Sequence, residues 1–301
     1  MELLVATASL PYYPLGHGLS LARQLGVDGV ELALTPRLLR QGPERARRLA
    51  DEHATPIRSV SLLPGQAPAD PEGITEVGRF VAALPACRLL VLPAPRPAGA
   101  GGSGGQGGLG AYVNVLRRYL DALAGGDVAL AIENAGPVAP GGPSGPLDRF
   151  PQLRRLVEEW DVAYTFDTSH AAAHGWVITE PLPLMGARLR NVHLSDYRLP
   201  PLAGRPPQPA GRYLHQLPGD GILPLRAFLR VLCRRGYAGL VTLDLHPRAL
   251  GAWWPPAARR NLAATLDFCR AVLRDCTPSP PLHLERRGEA SEAPAEAENE
   301  G

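Results

Sequence analysis

Four short apolar runs in the second half of the chain each stop at a residue that binds cations well. They read Leu130-Ala131-Ile132-Glu133, Tyr164-Thr165-Phe166-Asp167, Asn191-Val192-His193 and Thr242-Leu243-Asp244. A carboxylate closing an apolar run has to be ion-bound, paired or solvated, because burying it alone is too costly. Glu133, Asp167, His193 and Asp244 brought to one point would make a nest for one divalent metal ion. The oxygen-rich set suits Mn²⁺ or Mg²⁺, with Zn²⁺ or Co²⁺ as alternatives.

Other polar residues cluster around these runs. His170 follows Asp167 by three positions, so a turn leaving the strand lets both face one centre; Asp/Glu/His groups of this kind mark sites. Asp196 follows His193 and could orient it or touch a substrate hydroxyl. His215 precedes Pro218-Gly219-Asp220-Gly221, a segment whose glycines allow close backbone approach to a ligand; Asp220 itself reads equally as part of a surface turn. His246 shares the facing parity of Asp244 and is either a substrate contact or a solvent-side histidine. Glu31, in Val30-Glu31-Leu32, is a candidate for the opposite wall or a structural carboxylate.

Such residues meet only if their strands do. Strand-like runs recur near Leu3–Thr7, Gly29–Leu34, Ile57–Leu62, Leu89–Leu92, Val128–Glu133, Ala163–Asp167, Leu189–Leu194 and Leu240–Leu245. Most are continuous apolar runs, as in strands covered on both faces. Amphipathic stretches lie between them at Leu19–Leu25, Pro43–His53, Ile74–Leu84, Tyr112–Leu123, Leu147–Trp160 and Leu225–Arg235. Strand followed by helix, repeated around a chain of 301 residues, predicts one α/β domain, a (β/α)8 TIM barrel over residues 1–276. In such barrels the strand ends open onto one face, and that face carries the active site.

Two segments interrupt the rhythm. Ala98–Gly110 is glycine-rich and reads as a linker rather than a phosphate cradle, since it lacks the strand-turn-helix context of a dinucleotide loop. Leu199–Arg212 is proline-rich and follows the seventh strand. Residues 277–301 turn proline-rich and then acidic, which predicts a disordered tail.

Composition sets further bounds. All 31 basic residues are arginine. With no lysine, Schiff-base aldolase chemistry and a Walker-type phosphate lysine are excluded. A net charge of +2, with basic residues spread along the chain, argues against a nucleic-acid footprint. The four cysteines form no CxxC pair and no secretory leader precedes the first strand, so a reducing cytoplasm is expected. No apolar run reaches the length of a membrane span. Oligomeric state is left open.

Taken in order, Ile132-Glu133-Asn134, the Phe-Asp-Thr-Ser-His-Ala run at 166–171, Val-His-Leu-Ser-Asp at 192–196 and Gly-Asp-Gly at 219–221 resemble the xylose isomerase-like TIM barrels. That superfamily holds sugar isomerases, ketose 3-epimerases and apurinic-site endonucleases of the endonuclease IV type. The resemblance spans roughly Met1 to Cys276. In the epimerase branch one metal is held by Glu, Asp, His and Glu from strands five to eight. It implies Glu133, Asp167, His193 and Asp244 as ligands, the last one methylene shorter than the family's Glu. It implies Glu133 and Asp244 as the acid/base pair of an isomerase or epimerase acting through an enediolate on a sugar or related polyhydroxy carbonyl compound. It implies His170 as a hydrogen-bonding partner of substrate oxygens. The endonuclease branch needs further histidines on strands three and four, where this chain reads Ser59-Val60-Ser61-Leu62-Leu63 and Val91-Leu92-Pro93. It also has an Asp where this chain has Tyr213. His170 and His215 do match that branch, which leaves a metal-dependent hydrolase or lyase as an alternative. A non-catalytic binding barrel is the other.

Overall fold

The computed structural model describes residues 1–95, 108–136, 145–200 and 212–276. Eight parallel strands close into a barrel in sequence order: β1 (Glu2–Ala6), β2 (Gly29–Leu34), β3 (Ile57–Leu62), β4 (Leu89–Pro93), β5 (Ala129–Glu133), β6 (Ala163–Asp167), β7 (Leu189–Leu194) and β8 (Leu240–Leu243), with β8 pairing back onto β1. Helices α1 (Leu15–Gln24), α2 (Pro36–Gln41), α3 (Pro43–Glu52), α4 (Pro71–Ala82), α5 (Gly108–Leu123), α6 (Phe150–Glu159), α7 (Thr168–Ala173), α8 (Leu182–Met185), α9 (Leu225–Arg234), α10 (Pro247–Leu250) and α11 (Pro255–Arg274) lie in the connections and after β8.

Both faces of the strands contribute to their continuous apolar look. Outward residues such as Leu32, Val60, Leu92, Ile132, Phe166, Val192 and Leu243 pack against the helices in one large core. Inward residues change character along the barrel axis. Leu4, Leu89, Val91, Ala131, Ala163 and Leu240 form an apolar plug near the strand starts. Above it come Glu31, Ser59, Asn191 and Thr242, all buried. At the strand ends stand Glu133, Asp167, His193 and Asp244. With a side-chain period of two, every second residue of a strand faces the bore. Chemistry is therefore confined to the open end, and the plug seals the other.

Local signals set the helix ends. Asp70 caps α4 by accepting from Gly73 N at 2.8 Å, with Pro71 at the first helical position. This moves the start of α4 three residues ahead of the periodic stretch, and α1 likewise begins at Leu15. The periodic reading omits α11, although Ala258, Leu262, Thr265, Leu266, Cys269 and Val272 bury one face at helical spacing. The end of the glycine-rich stretch, Gly108–Gly110, opens α5. The rest of that stretch, most of Leu199–Arg212 and the segment 277–301 lie outside the described residues. No helix among the described residues is long and apolar enough to cross a membrane.

Cys233 at the end of α9 and Cys276 after α11 form a disulfide, where the sequence reading favours a reducing environment. The packing of α9 beside α11 brings together two residues 43 apart, which spacing alone does not reveal. Cys87 and Cys269 are free and buried. Burial pushes both thiols up to about 12. Since the thiolate is the reactive form, neither should react with iodoacetamide in the folded protein at about pH 8. Intact mass should show no adduct in the native chain and adducts on both only after unfolding without reductant. Native labelling at either site would contradict the burial.

Candidate metal centre

The centre rests on a hydrogen-bonded floor inside the bore. Thr242 Oγ1 donates to Asn191 Oδ1 at 3.0 Å, and Asn191 Nδ2 donates to Glu31 Oε2 at 2.9 Å. Ser59 Oγ donates to the same Glu31 oxygen at 2.9 Å. The other Glu31 oxygen lies 2.9 Å from His193 Nε2. Burial opposes the charge on Glu31, but His193, Ser59 and Asn191 outweigh it and hold its carboxyl below the usual range. Glu31 is thus a buried ion-pair partner of His193 from below. It does not form a wall facing a substrate, because its oxygens are taken by β3 and β7. Asn191 and Ser59 were not singled out from sequence. Asn191 lies two residues before His193, so strand parity was the signal that could have found it.

Above this floor the four strand-end residues converge. Glu133, Asp167, His193 and Asp244 each offer a ligand atom, and all four atoms lie within 4.8 Å of one another. His193 Nδ1 is 2.7 Å from Glu133 Oε1, and 3.9 Å from both Asp167 Oδ2 and Asp244 Oδ2. Burial works against a charged His193, yet Glu31 and Glu133 raise its pKa well above the usual imidazole value.

Asp167 joins two roles. Its Oδ1 accepts from His170 N at 2.7 Å, capping α7, and from Ser169 Oγ at 2.9 Å. Asn134 clamps its backbone: Asp167 N donates to Asn134 Oδ1 at 2.7 Å and Asn134 Nδ2 donates to Asp167 O at 3.0 Å. Asp167 Oδ2 is buried with no hydrogen-bond partner among the described residues. Burial raises the cost of its charge, but His170, His215 and His193 keep its carboxyl below the usual range. A fully buried, ionised oxygen without a donor, facing a histidine and two more carboxylates, is what a cation ligand looks like before its cation is added. The donor set and the orphaned oxygen both fit a divalent metal.

Asp244 differs from Asp167. It is the most exposed of the four, at 21% of its side-chain surface, and no hydrogen bond restrains its carboxylate among the described residues. Burial pushes its pKa up, and His215 and His193 only partly offset that. The two aspartates are driven in opposite directions by their surroundings, the pattern that separates a fixed ligand from a proton-transfer group.

A second group adjoins the first. Asp167, His170 and His215 place ligand atoms within 4.8 Å of one another. His170 Nε2 and His215 Nε2 are 3.1 Å apart, and His170 Nδ1 lies 3.0 Å from Asn134 O. Gly136 makes room for the His170 ring, since a Cβ there would sit 2.6 Å from Nε2. His215 Nδ1 lies 3.5 Å from Asp244 Oδ2 and 3.6 Å from Asp167 Oδ2. The His215 backbone has φ +53°, a left-handed conformation that costs a non-glycine residue about 1–3 kcal/mol and is typically held at functional sites.

The remaining candidates lie apart from this cluster. Asp196 is fully buried with its oxygens occupied: Oδ1 accepts from Tyr197 N and Leu223 N, and Oδ2 from Gly219 N, all at 2.8–2.9 Å. It ties the loop after His215 to the end of β7, where sequence suggested a substrate contact. Gly221 is required by this knot, because a Cβ there would meet both Asp196 Oδ1 and Tyr197 O at 2.3 Å. Gly221→Ala should therefore cost about 1–3 kcal/mol and lower the melting temperature by several degrees. An unchanged melting curve would mean the loop is not held this way. Asp220 forms an exposed ion pair with Arg198 at 3.0 Å, in keeping with a surface turn. His246 caps α10, its Nδ1 accepting from Arg248 N at 3.1 Å, while its N donates to His215 O at 2.8 Å. Its ring is committed to the backbone, and it supports His215 through the main chain.

Solved structures share this fold at low identity. A D-allulose 3-epimerase from Methylomonas sp. superposes with a TM-score of 0.67 and 15% identity, covering 91% of this chain and 98% of its own. A 3-keto-D-glucoside 4-epimerase from E. coli gives 0.66 and 17%, covering 88% and 99%. An AP endonuclease of family 2 from Brucella melitensis gives 0.62 and 19%, covering 85% and 99%. No curated protein matches the sequence. The family model described as xylose isomerase-like TIM barrel matches residues 19–272, and the chain belongs to that family.

Proposed function

We propose that the protein is a metal-dependent isomerase or epimerase of a sugar or related polyhydroxy carbonyl compound. The observation that carries this reading is the convergence of Glu133, Asp167, His193 and Asp244, with the Asp167 Oδ2 atom buried and without a hydrogen-bond partner among the described residues. The epimerases that share the fold favour a sugar-like substrate over other small molecules.

A bound Mn²⁺ or Mg²⁺, or Zn²⁺ or Co²⁺, would supply Lewis-acid polarisation of the substrate's oxygens. Asp167 and His193 would be its fixed ligands, the first held by Asn134 and the α7 amide, the second paired with Glu31. Glu133 and Asp244 come from strands three apart around the ring and serve as the acid/base pair. One removes a proton from the carbon beside the carbonyl and the other returns one. His170 and His215 line the same mouth and are placed to contact substrate oxygens. The site favours a small polyhydroxylated ligand, and no nucleic-acid role is carried over from the endonuclease relatives.

The test is metal content of the purified protein together with solvent-deuterium incorporation into a panel of ketoses, aldoses and keto-sugar glycosides. One bound metal and exchange at a carbon next to a carbonyl support the reading. Protein that takes up no divalent metal, and exchanges nothing, overturns it.

A hydrolase or lyase is the second reading, favoured by the adjoining Asp167, His170 and His215 group. It requires more than one metal per chain, which the same metal analysis measures.

A further inference from the structure

At the sealed end of the barrel, opposite the metal centre, a cavity of about 1230 Å³ is lined by Arg88, Arg190, Arg234, Arg235, Asp127 and Tyr237 among others. Its wall includes Leu89 and Leu240, which belong to the apolar plug, and Leu232 of α9. Four arginines and one aspartate thus border one hollow.

Most of that charge has no internal partner. Arg88 is neutralised by Glu2, 2.6 Å away, which also takes Arg58 at 3.1 Å. Arg190, Arg234 and Arg235 make no salt bridge among the described residues. The polarity of α9 accounts for basic residues at its C-terminal end, where Arg234 and Arg235 stand. It does not account for Arg190, which comes from β7, or Arg88, which precedes β4. Three separate elements deliver like charges to one concave surface. All four side chains are exposed, so solvent screens their mutual repulsion, and an anion entering the cavity would meet positive charge from each of these elements.

We propose that this cavity binds a small molecule carrying a phosphate chain on an apolar body, of about nucleotide size. Arginine forks match phosphate oxygens two at a time, and the lining residues Ala129, Ala187, Val231 and Ala238 offer apolar surface to the rest of the ligand. The volume suits such a ligand and exceeds what inorganic phosphate needs. The site lies at the opposite ends of the strands from the catalytic mouth, so its occupant is an effector rather than a substrate. This inference is independent of the reaction proposed above.

The experiment is calorimetric titration of the full chain, freed of divalent metal, with inorganic phosphate, pyrophosphate and ATP. Saturable ATP binding that weakens between about 50 and about 300 mM salt is expected, with pyrophosphate weaker and phosphate weakest. The double variant Arg190→Ser, Arg235→Ser should weaken ATP binding by about tenfold or more with an unchanged melting curve. Arg45→Ser, an exposed arginine on α3, should not. Glu133→Gln should leave ATP binding as it is. Absence of saturable binding overturns the proposal. So does loss on Glu133→Gln with retention in the arginine variant, which would put the ligand at the mouth. Equal binding of phosphate and ATP would reduce the site to a simple anion contact and overturn the apolar half of the proposal.

Discussion

Replacing Glu133 by Gln should lower metal affinity by at least about a hundredfold and turnover by about 10⁴-fold, while the barrel stays folded. Gln keeps the length and packing of the side chain and removes one negative charge. Glu133 Oε1 lies 2.7 Å from His193 Nδ1. The substitution leaves His193 with Glu31, which lies 2.9 Å away and is itself fixed by Ser59 and Asn191. The ligand histidine is therefore still positioned, and the loss falls on cation binding and proton transfer rather than on architecture. The wild-type chain should gain thermal stability with added divalent metal, because a ligand that binds only the folded state stabilises it by mass action. Glu133→Gln should lose most of that gain. Melting curves with and without metal, plus metal analysis after dialysis, check both halves. A variant that keeps its metal and its metal-induced stabilisation would remove Glu133 from the centre.

What could be read from the sequence follows from what a strand can advertise. A residue that ends an apolar run is visible as a break in hydrophobicity, and Glu133, Asp167, His193 and Asp244 all announce themselves that way. The eight strands were legible for the same reason, with boundaries off by a residue or two. Glu31, Asn191 and Ser59 sit within a run rather than at its end, and their role depends on which strands become neighbours across the bore. Only the closed ring brings β2, β3 and β7 into one network. Asp196 misleads for the opposite reason. It stands three residues after His193 in a motif that looks catalytic, but its oxygens are consumed by the amides of residues 197, 219 and 223, and loop closure over 20 residues leaves no trace in local spacing. The Cys233–Cys276 pair was hidden likewise, by a helix contact between distant segments.

Asp244 is where sequence and geometry together make the sharpest demand. Asp244→Asn should reduce turnover by about 10²–10⁴-fold and weaken metal binding far less than Glu133→Gln does. Three ligands remain, and Asp244 is the member of the four with no hydrogen bond fixing it among the described residues and the greatest exposure. Its raised pKa marks a carboxyl whose charge is poorly supported, which suits a group that must take up and release a proton. Asp244→Glu restores the side-chain length that the family resemblance leads one to expect, and the outcome separates two accounts. If the surrounding residues, including His215 at 3.5 Å, are arranged for the shorter side chain, the extra methylene misplaces the oxygen by about 1 Å and turnover falls by about 10²-fold. If the shorter residue has instead left a binding barrel without catalysis, the wild type is inert and Asp244→Glu gains activity on a ketose. Steady-state rates for the three proteins at matched metal occupancy decide between them. Measurable and equal turnover of the wild type and Asp244→Asn would contradict both accounts and move the proton-transfer role off this residue, with His215 the next group within reach of the same position.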